Sequence, residues 1–406
     1  MGIALILILA GLMELSAPGP LIGDLTARSV RLWIHSDQPE QVRITIVNDD
    51  GETVDQKVTS TLPENGNCST LSIIELKPGA RYEYTIDGQH DAAWWFRTLR
   101  EPDLSCRIAF GSCAKETEGS SKVWQRMDAD DITALVLLGD TPYIDTTDLK
   151  RQRERYRAFS SVPAFKTLVA HTPLYSTWDD HDFGRNDTDG NLPGKENSRR
   201  AFQEHRPNPS FGENDLGIYT SFRQGPVEVF LLDPRWFART EGDEDSPALL
   251  GEQQWAWLTR SLSASTAPWK VIAGGMVFND SVRSGKTDCW GRYPKEYERL
   301  LGVIKQAGGD GVVLVSGDVH WSRALRHDTQ EQLGYDLIEF VTSPIHEHLI
   351  KAADAPHPGL LFSQGEINSF LVIEAETIDG KHAMTMSLRN ASGETLYSKA
   401  FVSPSN

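Results

Sequence analysis

The sequence predicts an α/β domain preceded by a small all-β domain. From residue 18 to residue 99, short runs of alternating apolar and polar residues are separated by turn-forming clusters. Beyond residue 101, apolar runs alternate with longer segments of helical periodicity, which is typical of βαβ construction. A chain of 406 residues, 39% of them hydrophobic, is long enough to bury two cores. We therefore expect a β domain over residues 18–100 and an α/β domain over residues 104–402.

The first domain carries the period-two pattern of half-buried strands. The clearest runs cover residues 30–34, 42–47, 82–86 and 94–98, and clusters of turn-forming residues lie between them. Short strands at that spacing favour an antiparallel sandwich of the immunoglobulin or fibronectin type III kind.

The second domain contains segments with helical periodicity at residues 122–130, 149–159, 251–265 and 294–307. In the third of them, Trp255, Leu258 and Leu262 recur at helical spacing. Residues 370–401 return to strand-like alternation, which predicts a final hairpin packed on a sheet.

Acidic residues outnumber basic residues by 57 to 40 and give a net charge of -17 at pH 7. An electrostatic field of that sign repels polyanions, so we expect no nucleic-acid binding. A phosphate ester would have to be attracted by local cations, and bound metal ions would supply them.

An apolar run at residues 3–12 is followed by Ser16 and Ala17, as in an export signal with a cleavage site. The run is too short to span a bilayer as a helix, so we expect no transmembrane segment. We expect residues 1–17 to direct export to the periplasm or the exterior. Because no Lys or Arg precedes the run, an apolar first strand or a misassigned start codon stays open as an alternative.

The four cysteines, Cys68, Cys106, Cys113 and Cys289, lie far apart and form no CxxC pair. This spacing excludes a zinc ribbon. One disulfide is compatible with an oxidising compartment, and the sequence leaves its pairing open.

Residues that bind metals or phosphate follow several of the predicted buried strands. The strands and the residues after them are 107–110 with Cys113, 134–138 with Asp140, 174–178 with Asp180 and His181, 227–232 with Arg235, and 312–315 with Asp318 and His320. In a mostly parallel sheet these strand ends face the same way, and ligand sites lie beyond them. A thiol, carboxylates, imidazoles and a guanidinium in one place would form a metal site with an anion clamp.

Each of these residues also has a structural explanation. Asp140 could be a helix N-cap, Tyr143 a packing aromatic, and Cys113 an inert buried thiol. The run at residues 177–182 is harder to explain structurally, because its three carboxylates repel one another unless a cation neutralises them. Asp318 and His320 are an i, i+2 pair leaving a strand, so both side chains can reach one site.

Motifs in a fixed order connect these strand ends to a known family: FGSC at residues 110–113, LGDTPY at 138–143, TWDDHD at 177–182, LLDPR at 231–235 and SGDVH at 316–320. The ordered set resembles the PhoD-like alkaline phosphatases within the calcineurin-like metallophosphoesterase superfamily. The resemblance covers most of residues 104–345. It implies a four-layer αββα metallophosphoesterase-type catalytic domain after the β domain.

The resemblance also implies roles for individual residues. Those expected to bind metal are Cys113, Asp140, Tyr143, Asp180, Asp318 and His320. A thiolate and a phenolate suit Fe³⁺, and an oxygen-rich neighbouring position suits Ca²⁺, with Mn²⁺ or Zn²⁺ as alternatives. His181 matches the proton donor to the leaving group, and Arg235 would hold phosphate oxygens. Asn186 would be a substrate or metal contact.

The expected activity is metal-dependent hydrolysis of a small phosphate ester, monoester or diester, by a monomer. Two alternatives stay open: a phospholipase D-like phosphodiesterase acting on phospholipid head groups, and a non-catalytic, Ca²⁺-stabilised binding protein. The basic residues within 149–159 could approach an anionic surface, but a solvated helix face paired with nearby acids is the favoured explanation. A serine hydrolase is excluded, because the chain has no Gly-x-Ser-x-Gly elbow.

Overall fold

A computed structural model describes residues 18–239, 248–280, 286 and 288–402. The expected export signal at residues 1–17 lies outside the described residues. Within them, no helix combines the length and the apolar character needed to cross a membrane. The described cysteines are all buried and free, so the structure contains no disulfide among these residues.

Residues 18–100 form two small antiparallel sheets that enclose a core of their own. The strands are β1 (Leu21–Gly23), β2 (Val30–His35), β3 (Glu40–Asn48), β4 (Thr53–Thr61), β5 (Cys68–Ile73), β6 (Arg81–Ile86) and β7 (Trp95–Arg97). They pair in the orders β1-β2-β5 and β4-β3-β6-β7. Side chains from both sheets, among them Leu32, Ile44 and Tyr84, pack into a single cluster. The four strands predicted here are present as β2, β3, β6 and β7, and the predictions lacked β1, β4 and β5.

The rest of the chain is built on two larger mixed sheets. Their strands are β8 (Ser105–Gly111), β9 (Ala134–Leu138), β10 (Leu174–Thr177), β11 (Thr220–Gln224), β12 (Val227–Leu231), β13 (Trp269–Ala273), β14 (Val312–Ser316), β15 (Ser322–His327), β16 (Leu337–Val341), β17 (Leu360–Gln364), β18 (Ser369–Ile378), β19 (Lys381–Asn390) and β20 (Thr395–Val402). One sheet has the order β10-β9-β8-β18-β19-β20 and the other β11-β12-β13-β14-β16-β15-β17. Both contain a set of parallel strands: β10-β9-β8 on one side of the first sheet, starting at its edge, and β12-β13-β14-β16 in the middle of the second.

Helices cover the outer face of each sheet. They are α1 (Glu118–Ala129), α2 (Leu149–Ser160), α3 (Pro163–His171), α4 (Asp180–Phe183), α5 (Lys195–His205), α6 (Gly251–Ala264), α7 (Pro294–Gln306) and α8 (Gln330–Leu333). Residues of α1, α2 and α3 pack on the first sheet, and residues of α6 and α7 on the second. The inner faces of the two sheets share one apolar cluster that includes Phe110, Leu138, Leu231 and Val315. The layers are therefore helices, sheet, sheet and helices.

The structure corrects two expectations. The predicted metal-binding strand ends belong to two sheets instead of one. The two sheets are packed together, since Phe110 and Leu138 of the first share a core with Leu231 and Val315 of the second. Residues 370–401 do not pack on a sheet as a hairpin: β18 pairs with β8 by antiparallel hydrogen bonds and extends the first sheet. The four predicted helices are present, whereas the predictions lacked α3 and α5.

Candidate metal centre

The strand ends converge because the chain turns sharply after each strand. Cys113 after β8, Asp140 after β9, and both Asp318 and His320 after β14 adopt left-handed backbone conformations, with φ between 53° and 66°. Non-glycine residues rarely adopt this conformation, and it concentrates at functional sites. Gly139 lets β9 approach β10 closely, since a Cβ there would lie 2.3 Å from the backbone nitrogen of Asp179.

One part of the centre, which we call the thiol half, consists of Cys113, Asp140, Tyr143, His320 and His346. Ligand atoms of Cys113, Asp140 and His320 lie within 4.8 Å of one another, and the Cys113 Sγ is 3.6 Å from Asp140 Oδ2. The Tyr143 hydroxyl lies 2.9 Å from His320 Nε2 and 3.1 Å from His346 Nε2. Four of these five residues were predicted from the sequence, and the structure brings them together.

Burial opposes charge on every member of the thiol half. It raises the pKa of the Cys113 thiol and of the Tyr143 phenol well above their ordinary values. The pKa of Asp140 is also raised, first by burial and then by the neighbouring Asp180 carboxylate. Burial lowers the pKa of His320 to about 2, which keeps its imidazole in the neutral form that binds metals.

Asp180 and His181 stand at the start of the short helix α4 and face Asp140. The backbone N–H of His181 donates to Asp140 Oδ1 (3.3 Å) and to Asp180 Oδ1 (2.9 Å). Ligand atoms of the three residues lie within 4.8 Å of one another. The His181 Nδ1 donates to Asp145 Oδ1 at 2.5 Å. Asp182 does not face the same group: its Oδ1 accepts the Asp179 N–H (2.6 Å) and closes the capping box of α4.

The other part, which we call the carboxylate half, consists of Asp179, Asp180, Asp187, Asp288 and Asp318 with the cations Arg235 and Lys286. The carboxylates of Asp180, Asp187 and Asp288 form a further group whose ligand atoms lie within 4.8 Å of one another. Lys286 Nζ lies 2.7 Å from Asp318 Oδ2 and 2.8 Å from Asp288 Oδ1. The Lys286 side chain is 2% exposed, and the surrounding Asp318 and Asp288 carboxylates outweigh the effect of its burial and raise its pKa.

Arg235 lies within this half and not at its surface. Its Nε donates to Asp179 Oδ1 (2.7 Å), its Nη2 to Asp288 Oδ2 (3.0 Å) and its Nη1 to the Thr188 carbonyl (3.1 Å). The side chain is 1% exposed. These contacts engage all three nitrogens of the guanidinium. The role expected for Arg235, binding the phosphate oxygens of the substrate, stays a prediction, and this arrangement does not favour it. Asn186 is exposed and adjoins Asp187, whose N–H donates to Asp180 Oδ2 (2.7 Å).

The donor atoms fit a bound cation. The buried His320 Nδ1 has no hydrogen-bond partner. The raised pKa values of Cys113, Tyr143 and Asp140 reflect negative charge that burial leaves uncompensated, and a cation among them would stabilise all three charged forms together. Sulfur, phenol, imidazole and carboxylate donors are the ligand types that transition metals accept.

The sequence model of the PhoD-like phosphatases matches residues 108–366, which contain the whole centre. The chain belongs to this family. It is 25% identical over 315 residues to alkaline phosphatase D of Bacillus subtilis (strain 168), across 63% of this chain and 54% of that protein, so it spans about half the length of this curated relative. The solved structure of PhoD is similar in fold, with a TM-score of 0.75, 20% identity, and coverage of 95% of this chain and 93% of that chain.

The resemblance found in the motifs is thereby confirmed, whereas several residues of the centre were missed. His346 follows β16 by five residues, so the rule that ligands follow parallel strands would have found it. Asp145 carries no pattern of its own and is recognised only by its contact with His181. Lys286 and Asp288 lie in the long connection between β13 and α7, where the sequence offers no periodic signal.

Proposed function

We propose that this PhoD-like phosphatase hydrolyses phosphate esters in a metal-dependent reaction. The observation that carries the proposal is the convergence of two ligand groups that share Asp140, at the ends of separate strands: Cys113, Asp140 and His320 form one group, and Asp140, Asp180 and His181 the other. A small phosphate ester, either monoester or diester, is the proposed substrate. The same residues serve both substrate types, so the choice between them is left to experiment.

Cys113, Asp140, Tyr143, Asp180, Asp318 and His320 would hold the metal ions. A thiolate and a phenolate in the thiol half support Fe³⁺, and the oxygen donors around Asp180 support Ca²⁺. When bound, such ions lower the pKa of a water molecule and offset negative charge on phosphoryl oxygens.

His181 is the proposed proton donor to the departing oxygen. Its Nδ1 is engaged by Asp145, so the other ring nitrogen carries the proton that is transferred. The contact with the Asp145 carboxylate also fixes the orientation of the imidazole, as the carboxylate of a catalytic triad does. The side chain of His181 is 22% exposed and that of Asp145 54%, so both remain open to a substrate arriving from solvent.

Arg235 holds the carboxylates of Asp179 and Asp288 in place and thereby positions the adjoining Asp180. Contact of Asn186 with the substrate remains part of the proposal, supported by its exposure next to Asp187. Basic residues of α2 are largely paired: Arg153 with Glu204, Arg155 with Glu116, and Arg151 with Glu154. This pairing supports a solvated helix face over a lipid-binding surface.

The finer architecture is also a proposal. We assign residues 18–100 to an immunoglobulin- or fibronectin III-like domain, because their two antiparallel sheets enclose a separate core. Residues 104–402 would be the metallophosphoesterase-type catalytic domain, with its four layers of helix and sheet. Export rests on the apolar run at residues 3–12, and the monomeric state is an expectation for solution measurement.

Chromogenic phosphate monoesters and diesters, assayed with and without a chelator, test the proposed activity. We expect hydrolysis that the chelator abolishes and that the removed ions restore. His181→Ala should lower turnover by about 10²–10⁴-fold, the range for loss of a general acid, with metal content as in the wild type. His90→Ala, on a side chain 55% exposed, is the matched control. A metal-loaded protein inactive on every ester would overturn the proposal.

A further inference from the structure

The centre carries many more buried negative groups than cations. The buried carboxylates are Asp140, Asp179, Asp180, Asp288 and Asp318, and they adjoin Asp187, whose side chain is 35% exposed. Among the described residues, Arg235 and Lys286 are the buried cations that form ion pairs with this set. Where these two side chains stand therefore decides which part of the centre still needs a metal ion.

Arg235 and Lys286 are arranged in an alternating row of charges that crosses the centre. Arg235 joins Asp179 to Asp288, and Lys286 joins the other oxygen of Asp288 to Asp318. Each cation in the row thus lies between two carboxylates. The row runs from the end of β10 to the end of β14 and so ties one sheet to the other.

Lys286 lies on a group that could otherwise hold a metal ion. The ligand atoms of Asp180, Asp187 and Asp288 are close enough to share one cation. The Lys286 ammonium is 2.8 Å from Asp288 Oδ1 and 3.4 Å from Asp187 Oδ1, and therefore already contacts two members of that group. A divalent ion bound there would need the same oxygens and would be repelled by the ammonium.

We infer that Lys286 is a built-in cation that takes the place of a metal ion at the Asp180, Asp187 and Asp288 carboxylates. The inference rests on the proposed metal-dependent function and specifies how many ions the centre holds. The thiol half and the Asp140 and Asp180 carboxylates would hold metal ions, whereas the ammonium neutralises the remaining carboxylates. Lys286 is a positioning residue, because its side chain is buried and acts on the site through the Asp288 and Asp318 carboxylates that it contacts.

The test is the number of ions that each variant binds. Lys286→Gln removes the charge but keeps the side-chain length nearly constant, so the three carboxylates become free to bind a hard cation. After dialysis against Ca²⁺ alone, elemental analysis should give about one more Ca²⁺ per chain in Lys286→Gln than in the wild type. Added Ca²⁺ should raise the Tm of Lys286→Gln more than the Tm of the wild type.

Two control variants separate this role from an ordinary ion pair. Lys286→Arg keeps a cation and should leave the ion count unchanged, and Lys150→Gln, on the exposed side of α2, should behave as the wild type. If Lys286→Gln is recovered only when Ca²⁺ is present, its unfolding by a chelator also supports the inference. An unchanged ion count in folded Lys286→Gln would overturn it. If the wild type hydrolyses phosphate esters but Lys286→Gln binds no additional Ca²⁺, this inference alone fails. If the metal-loaded wild type is inactive on every ester, the proposed function fails.

Discussion

The thiol half and the carboxylate half adjoin each other but balance their charge in different ways. In the thiol half, Cys113 contacts the Ser343 hydroxyl and the Asp140 carboxyl, and Tyr143 contacts the imidazoles of His320 and His346. The Lys115 ammonium lies 4.7 Å from the centroid of the Tyr143 ring. In the carboxylate half, guanidinium and ammonium groups lie directly between the carboxylates. The fold therefore places cations directly on the carboxylate oxygens of one half. In the thiol half, the cation Lys115 lies over the Tyr143 ring, and the described ion pairs reach none of the ligand atoms of Cys113, Asp140 and His320.

This difference shows why a buried acidic cluster does not by itself indicate a metal. A carboxylate group is stable when the chain provides cations at hydrogen-bond distance, although each buried cation must be well paired to offset its desolvation. A buried thiol, phenol and carboxyl without such cations stay protonated until an ion arrives. The contrast can be tested residue by residue.

Asp140→Asn should produce the largest loss, because Asp140 belongs both to the Cys113 group and to the Asp180 group. We expect turnover to fall by at least about 10³-fold, the upper range for removal of one electrostatic group from a site, and the ion count to fall with it. Elemental analysis and phosphate-ester hydrolysis measure the two effects. Asp131→Asn, at an exposed residue with a similar positive φ, is the control. If Asp140→Asn retained all its ions, Asp140 would not be the ligand that the two groups share.

Arg235→Met should break the carboxylate half through stability. Removing one partner of a buried ion pair costs about 3–5 kcal/mol, because the Asp179 and Asp288 carboxylates lose their shared guanidinium. Urea unfolding measures this loss, and Arg299→Met, in an exposed pair with Glu252, should cost less than about 1 kcal/mol. If Arg235 instead held the substrate phosphate, KM would rise while the free energy of unfolding stayed near the wild-type value.

Asp145→Asn should have a smaller effect on turnover than His181→Ala. The amide can still accept a hydrogen bond from His181 Nδ1 but holds the imidazole less firmly than the carboxylate, so we expect a loss of roughly 10–100-fold, below the ~10²–10⁴-fold of the acid itself. Ion count and Tm should not change, since Asp145 is half exposed and belongs to neither half. Asp215→Asn, on a side chain 98% exposed, is the matched control. Equal turnover in Asp145→Asn and the wild type would remove the orienting role.

Much of this contrast could be predicted from the sequence, but not all of it. Cys113 and Asp140 follow adjacent parallel strands, whose carboxyl ends meet at the same end of a sheet. His320 follows a strand of the other sheet and reaches the centre because the two sheets pack on a shared core. The pairing of Lys286 with Asp288 and Asp318 involves residues outside any strand or helix of periodic pattern, so the sequence offers no signal for it. Arg235 was correctly placed after a strand, but the direction of its guanidinium depends on the buried Asp179 and Asp288.

A pH effect outside both halves sets the background for any acid titration of the centre. His205, at the end of α5, is fully buried: its Nδ1 donates to the Ala201 carbonyl (2.8 Å), and its Nε2 lies 3.7 Å from Cys68 Sγ of the β5 strand. Burial lowers its pKa to about 3, below the 6.5 of an exposed histidine.

The unfolded chain therefore takes up a proton below pH 6.5 that the folded chain refuses until about pH 3, so His205 lowers stability as the pH falls through that window. The slope is about 1.4 kcal/mol per pH unit for a single group. His205→Phe keeps an aromatic ring against Tyr156 and should flatten this part of the stability curve between pH 6.5 and pH 5. The control variant His90→Phe should leave this part of the stability curve unchanged. If the free energy of unfolding falls equally with pH in His205→Phe and in the wild type, the acid sensitivity belongs to the centre itself. The thiol half and the carboxylate half would then have to be titrated separately, with and without bound ions.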